Sequence, residues 1–124
     1  RIADPGLPDG WQVFKINGPL FFAAADRIFG ELAELSREAR GFILYMDGVT
    51  ILDAGGLSAL NKLIDTCEQD GTRIVIADLQ FQPLRTLARA GVTPVSGVSC
   101  YTSSLEEALR LISNPASESD QPSG

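Results

Sequence analysis

Short apolar runs alternate with longer amphipathic segments along most of this chain. The runs at residues 42–47 (FILYMD) and 72–79 (TRIVIADL) are rich in β-branched and aromatic residues, which is typical of buried strands. The longer segments carry apolar residues at helical spacing, as at Leu57, Leu60 and Ile64. Such alternation predicts an α/β domain with a central, mostly parallel sheet of about four or five strands and about four helices.

The first predicted helix follows a Gly-Pro turn and covers residues 19–40, with Gly41 as its C-terminal stop. Its aromatic pair, Phe21 and Phe22, is predicted to lie in the core. The alternative is that residues 19–20 (Pro-Leu) line an exposed apolar groove, which would mark a docking site.

Both ends of the chain differ from this periodic body. Residues 1–10 (RIADPGLPDG) contain two prolines, two glycines and two aspartates without periodicity, which predicts a linker. Residues 114–124 (NPASESDQPSG) are rich in Ser, Pro and acid, which predicts a disordered acidic tail. A length of 124 residues suits one domain, so the folded unit is expected over residues 11–113.

The composition excludes several classes of function. The chain contains no histidine, so a hydrolase with the usual triad is excluded, and no catalytic residue, metal site or cofactor is predicted. The two cysteines, Cys67 and Cys100, have neither metal-binding nor redox spacing. A net charge of −6 makes nucleic acid a poor partner. No apolar run reaches the roughly 18 residues that span a bilayer, so direct membrane insertion of this fragment is not expected.

The segment GVTILDAGGLSAL, residues 48–60, joins the second predicted strand to the second helix. Asp53 is placed to cap the helix, and the two glycines after it can pack closely because they lack a Cβ. A phosphate cradle is not supported, since neither G-x-x-x-x-G-K-[ST] nor G-x-G-x-x-G occurs. The remaining interpretations are a tight strand-to-helix corner and a recognition corner for a partner.

Three segments resemble one known family. LDAGGLSAL, residues 52–60, is similar to the signature loop of the STAS domain, which occurs in anti-sigma-factor antagonists and in the cytosolic parts of SulP-type anion transporters. INGPLFFAAA, residues 16–25, resembles the SulP version of the first strand and helix. DLQFQPLRTLARAGV, residues 78–92, is similar to the segment whose helix precedes the last short strand of the family. The likeness extends over about residues 11–112 and implies the STAS fold.

The resemblance also distinguishes a transporter domain from an anti-sigma-factor antagonist. In the antagonists the loop usually reads Asp-Ser-Ser-Gly, and a partner kinase phosphorylates the second serine. Aligned on Asp53, the two serine positions hold Ala54 and Gly55, and Ser58 does not match the motif, so no phosphorylation site is predicted. This favours the SulP branch and implies a non-catalytic regulatory domain, located at the cytoplasmic face of the cell membrane as part of a transporter of sulfate-, dicarboxylate- or bicarbonate-class anions. The alternative is a free-standing partner-switching regulator that lacks the usual serine.

The resemblance places partner contacts on the first turn of the helix after the loop. The expected partner is the membrane domain of the same transporter or a cytosolic protein. Two arginines at i, i+4 spacing on the following helix form a basic face that either meets an acidic or phosphorylated group or is solvated and paired with nearby carboxylates. The predicted partner-binding residues are Asp53, Gly55, Gly56, Leu57, Ser58, Asn61, Lys62, Arg85 and Arg89.

Overall fold

The computed structural model describes residues 6–113, and in that range it contains one sheet of four parallel strands in chain order. The strands are β1 (Trp11–Asn17), β2 (Gly41–Gly48), β3 (Arg73–Ala77) and β4 (Ser99–Thr102). The helices are α1 (Phe22–Leu35), α2 (Ala54–Asp70), α3 (Phe81–Arg89) and α4 (Leu105–Ser113), with a 3-10 turn at Ser36–Glu38. The predicted α/β architecture is confirmed. Residues 1–5 and 114–124 lie outside the described range, so the linker and the acidic tail stay predictions.

Each face of the sheet is covered by helices. Side chains such as Phe42 and Ile74 pack on one face in a cluster to which α1, α2 and α3 contribute. Ile43 and Val75 lie on the other face and pack against α4 through Ile112. Right-handed crossovers between strands taken in chain order place their helices on one side, which is where α1, α2 and α3 lie. The three helices therefore begin side by side at the carboxyl edge of the sheet.

Helix α1 is shorter than the sequence predicts. It spans Phe22–Leu35 instead of residues 19–40, and Gly41 is the first residue of β2, so the prediction that Gly41 stops the helix is wrong. The reason for a glycine there is tertiary packing. A Cβ at Gly41 would lie 2.4 Å from Cη2 of the Trp11 indole.

The other helix ends follow ordinary capping chemistry. Gly71 and Gly91 end α2 and α3 with φ of 73° and 71°, values that glycine adopts without strain. At the start of α4, the Ser104 hydroxyl accepts the Glu107 N–H at 3.0 Å, and the Glu107 carboxylate accepts the Ser103 N–H at 3.1 Å. The hydrogen bonds from Ser103 lower the pKa of the Glu107 carboxyl.

The buried thiol of Cys67 leads to a prediction about its reactivity. Cys67 has no exposed surface in α2, and burial, with a smaller effect of the Asp70 carboxylate, raises the pKa of its thiol to about 12. In a Cys100→Ser variant at pH 8, Cys67 is expected to react with Ellman's reagent at least about a hundredfold more slowly in the folded than in the urea-unfolded chain, because the thiolate is depleted and shielded. The raised pKa of the folded state also links stability to pH, because above about pH 9 the thiol ionises more readily in the unfolded chain. The free energy of unfolding is therefore unaffected by Cys67 below about pH 9 and falls as the pH rises toward 12. Equal rates in the two states would contradict the burial of this side chain.

Candidate functional site

The corner between β2 and α2 packs beside the segment that joins β1 to α1. Leu20 and Leu52 form an isolated parallel bridge, the Leu20 N–H donates to the Ile51 carbonyl at 2.8 Å, and the Asp53 N–H donates to the Leu20 carbonyl at 3.4 Å. Both leucines are fully buried, whereas their chain neighbours Phe21 and Ile51 are exposed. This alternation is that of a short strand pair with one face toward the core and one toward solvent.

Asp53 is the N-cap of α2. Its backbone is extended, and its carboxylate accepts the N–H of Gly56 at 2.7 Å. The prediction that Asp53 caps this helix is confirmed, and a bond of this kind is worth about 1 kcal/mol. The carboxylate is half-buried and committed to its own helix.

The two glycines after the cap pack against the chain itself. A Cβ at Gly56 would lie 2.3 Å from the Leu20 carbonyl oxygen, and one at Gly55 would lie 2.5 Å from the Cβ of Phe22. Gly56 is buried and Gly55 is half-buried. The close approach that the missing Cβ atoms permit is thus made by the start of α1, and little of the Gly56 main chain is left for a partner.

The start of α3 is fastened to the same corner by three side chains, chiefly that of Gln82. The Gln82 amide accepts the Leu52 N–H at 2.8 Å and donates to the Leu52 carbonyl at 3.2 Å, so it pairs with that residue as a neighbouring strand would. The Thr86 hydroxyl donates to the same carbonyl at 3.4 Å. Gln80 adds a bond of 2.6 Å to the Asp47 carbonyl. The starts of α1, α2 and α3 are therefore held together around Leu52.

Replacing Gln82 with alanine is expected to lower the free energy of unfolding by about 1–2 kcal/mol, because the N–H of the fully buried Leu52 loses its acceptor. Urea titration followed by the fluorescence of Trp11 measures this change. Gln12→Ala is the matched control, as no described side-chain bond involves that glutamine. An unchanged midpoint for Gln82→Ala would show that the amide does not hold the corner.

The predicted contact residues fall on two helices. On α2, Ser58 and Lys62 are exposed, while Leu57 and Asn61 are half-buried. On α3, Arg85 and Arg89 are exposed. The Arg85 guanidinium lies 5.9 Å from the centre of the Phe81 ring, and within residues 6–113 neither arginine forms an ion pair with a carboxylate. The structure thus brings the starts of the two helices together, whereas Arg89 lies two turns from the start of α3.

Five large exposed apolar side chains belong to the segments that meet at this corner or begin α1 and α3, and we call them the edge patch. The prediction that Phe21 and Phe22 belong to the core is wrong, because 50% and 58% of their surfaces are exposed. The bridge at Leu20 buries the leucine and so turns the next residues outward, which also excludes Leu20 from an exposed groove. The edge patch consists of Phe21, Phe22, Ile51, Phe81 and Leu84.

Sequence reasoning missed the edge patch for an identifiable reason. The apolar spacing of α3 places Pro83 and Leu87 in the core, and Phe81 and Leu84 fall off that stripe. An aromatic residue outside the buried stripe of an amphipathic helix is the signal that would have indicated an exposed apolar surface. The exposure of Ile51 follows from the bridge between Leu20 and Leu52, which the sequence alone does not indicate.

A second concave surface lies away from the corner, along the edge strand β1. It is a groove of about 230 Å³ between β1 and α1, lined by apolar residues that include Phe14, Ile28 and Leu35. Its rim carries Lys15 and Glu31. It contains none of the predicted contact residues.

Asp47, near the end of β2, and Asp53, at the start of α2, carry carboxylates that do not face one another. Asp47 belongs with the α4 face of the sheet, where it lies 3.9 Å from the Lys15 ammonium and is hydrogen-bonded by Tyr45, whose phenol pKa this bond raises. Asp53 caps α2 on the opposite face. In the part of the chain that the structure describes, no three potential metal ligands converge, and no helix has the length and apolar character of a membrane span.

The comparisons with known proteins agree with the geometry. A family model described as the STAS domain matches residues 7–108. YvdB of Bacillus subtilis (strain 168), which bears the name of a sulfate transporter, is 27% identical over 82 residues, 65% of this chain. The Arabidopsis thaliana protein named as sulfate transporter 4.2 is 25% identical over 116 residues, 83% of this chain. The chain spans only 16% and 17% of the length of these two relatives.

Solved structures extend the comparison to the fold. A sulfate transporter family protein from Wolinella succinogenes superposes with a TM-score of 0.73 at 29% identity, covering 89% of this chain and 95% of that one. The STAS domain of a SulP transporter from Vibrio cholerae gives 0.66 at 26% identity, covering 83% and 80%. The unphosphorylated anti-sigma factor antagonist SpoIIAA gives 0.63 at 14% identity, covering 86% and 92%, and this likeness concerns the fold alone.

These matches fit the parallel sheet and the corner at Asp53, and the structures with more than a quarter of their residues identical come from sulfate transporters. The chain belongs to the STAS domain family, in the branch of the SulP-type sulfate transporters.

Proposed function

We propose that this chain is the cytosolic, non-catalytic regulatory and protein-interaction domain of a SulP-type secondary anion transporter. The observation that carries the proposal is its similarity, over most of its length, to STAS domains of proteins named as sulfate transporters. The proposed location is the cytoplasmic face of the cell membrane, and the proposed substrates of the whole protein are anions of the sulfate, dicarboxylate or bicarbonate class. The domain itself would not form the translocation path.

The proposed contact surface extends from the carboxyl edge, where α2 and α3 begin, along the first turns of both helices. On α2 it comprises the corner and the exposed strip that includes Ser58 and Lys62. On α3 it includes Arg85 and Arg89, whose guanidinium groups no described carboxylate neutralises. The two hydrogen bonds between the Gln82 amide and the Leu52 main chain support this assignment. They hold the surface in one arrangement, so it loses little conformational freedom when a partner binds.

A free-standing regulator of the antagonist type is the alternative function. That class switches by phosphorylation of a loop serine, and here the corresponding positions carry Ala54 and Gly55. Ser58 is exposed on the first turns of α2 and is the nearest hydroxyl that a kinase could reach. Stoichiometric phosphate on Ser58 after incubation with anti-sigma kinases would favour the alternative.

The complete reading frame tests the proposal. We expect about ten or more apolar segments of membrane-spanning length upstream of Arg1, and sulfate uptake when the whole protein is placed in lipid vesicles. The double variant Lys62→Glu, Arg89→Glu is expected to change the uptake rate at least about threefold, because reversing two charges on a contact surface typically alters association strongly.

The control is Arg110→Glu, a charge reversal at an exposed position of α4, which should leave uptake unchanged. Comparing equal amounts of inserted protein separates regulation from expression. A reading frame without membrane-spanning segments would overturn the transporter assignment. An uptake rate that the double variant leaves unchanged would overturn only the proposed contact surface.

A further inference from the structure

The exposed apolar surface of this domain is concentrated in one place. Of the seven large hydrophobic side chains that are exposed in residues 6–113, five form the edge patch, and the other two, Leu35 and Val95, lie elsewhere. Phe81 is the most exposed of all, at 73%. Single exposed apolar residues are normal, but here five of seven fall on residue 51 and on the first turns of α1 and α3, and such a concentration indicates an interaction surface.

The electrostatic character next to the edge patch is opposite to that of the whole chain. The net charge of the chain is −6, yet no acidic residue occurs between Asp78 and Glu106, the stretch that contains α3. Arg85 stacks over Phe81, and Arg89 follows one turn later on the same helix. An exposed guanidinium on an aromatic ring that no described carboxylate neutralises is a group suited to an external carboxylate.

The N-terminal ends of α1 and α3 add positive electrostatic potential to that of the arginines. Phe21 and Gln80, the N-cap residues of α1 and α3, make no side-chain capping bond, and the first turns of both helices contain no acidic residue. The first N–H groups of a helix carry partial positive charge, which acidic groups compensate in most proteins. Only α2 is compensated in this way among the three, by Asp53. Asp78, three residues before α3, adds one negative charge to these positive helix starts and arginines. An apolar centre beside the two arginines complements an acidic, apolar partner.

The backbone at the corner indicates the form of that partner. The N–H and C=O groups of Leu20 and Leu52 are all used, by Ile51, Asp53 and the Gln82 amide. A partner strand would find the main-chain groups of these two residues already paired, which favours contact through side chains. A short amphipathic helix offers apolar side chains on one face and carboxylates beside them.

We propose that the edge patch, with Arg85 and Arg89, binds an acidic amphipathic helix of a partner protein, which places apolar side chains on Phe81 and Phe21 and a carboxylate on the arginines. The inference rests on the proposed role of the domain in protein interaction and names the chemistry of its partner. It does not depend on anion transport.

Peptide selection tests this directly. A display library of random 16-residue peptides is selected on the whole 124-residue chain and counter-selected on its Phe81→Ser variant, with circular dichroism confirming that the variant is folded. We expect enriched peptides with apolar residues at i, i+3 or i+4, and i+7, and with several Asp or Glu residues. A synthetic copy of an enriched peptide should bind at least about tenfold more weakly to Phe81→Ser and to Arg89→Glu, and more weakly as salt rises.

Matched controls are available for both changes. Val95→Ser removes an exposed apolar side chain outside the edge patch, and Arg110→Glu reverses an exposed charge on α4, so neither should alter peptide binding. Basic or strand-patterned peptides, or no enrichment that depends on Phe81, would overturn the inference. So would Phe81-dependent binding to vesicles containing anionic lipid, or Phe81-dependent dimerisation of the chain, each without binding of acidic peptides. These results are independent of sulfate uptake, so failure here is distinct from failure of the transporter assignment.

Discussion

Replacing Gly56 with alanine should lower the free energy of unfolding by about 2 kcal/mol, although alanine is the better helix former. The added Cβ would lie 2.3 Å from the Leu20 carbonyl oxygen and 2.8 Å from a methyl group of Leu52. The carbonyl oxygen is a backbone atom, and the bridge between Leu20 and Leu52 fixes its position. It cannot move aside without disrupting that bridge. Urea unfolding followed through Trp11, the single tryptophan of the chain, measures the change.

Gly30→Ala provides the matched control for this prediction. Gly30 lies inside α1, and a Cβ there meets nothing within 4 Å. That substitution is expected to raise stability by about 0.5–1 kcal/mol, because glycine is a poor helix former in a helix interior. If Gly56→Ala raised stability, as Gly30→Ala should, the close packing between α2 and the start of α1 would be refuted.

Leu20→Ala is expected to cost about 3 kcal/mol, whereas Phe21→Ala should cost about 1 kcal/mol or less. The two residues are adjacent, but Leu20 is fully buried beneath the bridge to Leu52 and Phe21 is half exposed. Removing the leucine leaves a cavity at the corner, and removing the phenylalanine only reduces surface contact. Unfolding midpoints of the two variants make this comparison in one experiment.

Phe22→Ala extends the same test. Phe22 is 58% exposed, and its Cβ, which alanine keeps, forms the contact with Gly55. Its replacement should therefore resemble that of Phe21 and not that of Leu20. A loss of about 3 kcal/mol in the free energy of unfolding for either variant would show that the replaced phenylalanine is buried. That residue would then no longer belong to the edge patch.

Most of the architecture could be predicted from periodicity. The apolar runs at residues 42–47 and 72–79 became β2 and β3, and the stripe at Leu60 and Ile64 became the buried face of α2. These predictions succeeded because a strand buried on both faces and a helix buried on one face leave distinct patterns. The prediction that Asp53 caps α2 succeeded because capping depends on local backbone geometry.

The errors arose where distant residues decide the outcome. Gly41 resembled a helix stop, but it is a strand residue that accommodates the Trp11 ring, thirty residues earlier in the chain. The pair Phe21 and Phe22 resembled core residues because the bridge between Leu20 and Leu52 leaves no trace in a single sequence. Propensity and period describe a segment, whereas these contacts join segments.

The candidate site was predictable in position but not in character. For the loop from Asp53 to Gly56 the sequence left a tight corner and a recognition corner open. The structure packs Gly55 and Gly56 against the start of α1, and partner binding at this loop stays a prediction. What is exposed beside them is apolar, at Ile51 and Phe81. The loop could be identified because its residues resemble a family signature, but the side chains around it come from three separate segments and required the fold.

The absence of a hydroxyl at residues 54 and 55 has a physical consequence for regulation. Because Ala54 and Gly55 carry no hydroxyl, the loop cannot change its charge by phosphorylation at the positions used by the antagonists. Attraction between the arginines of α3 and an acidic partner would instead respond to salt and to competing charged groups. The contact would therefore be set by the presence of the partner and not by modification of this loop.

The central claim, that the carboxyl edge is where this domain meets a partner, is tested most directly by site-specific photo-cross-linking of the complete protein in cells. Benzoylphenylalanine is placed at position 81, in the edge patch, or at position 95, an exposed apolar position outside it. We predict an adduct with a protein segment from position 81 that disappears in the Arg89→Glu background, and none from position 95. An adduct from position 95 with none from position 81 would contradict the claim.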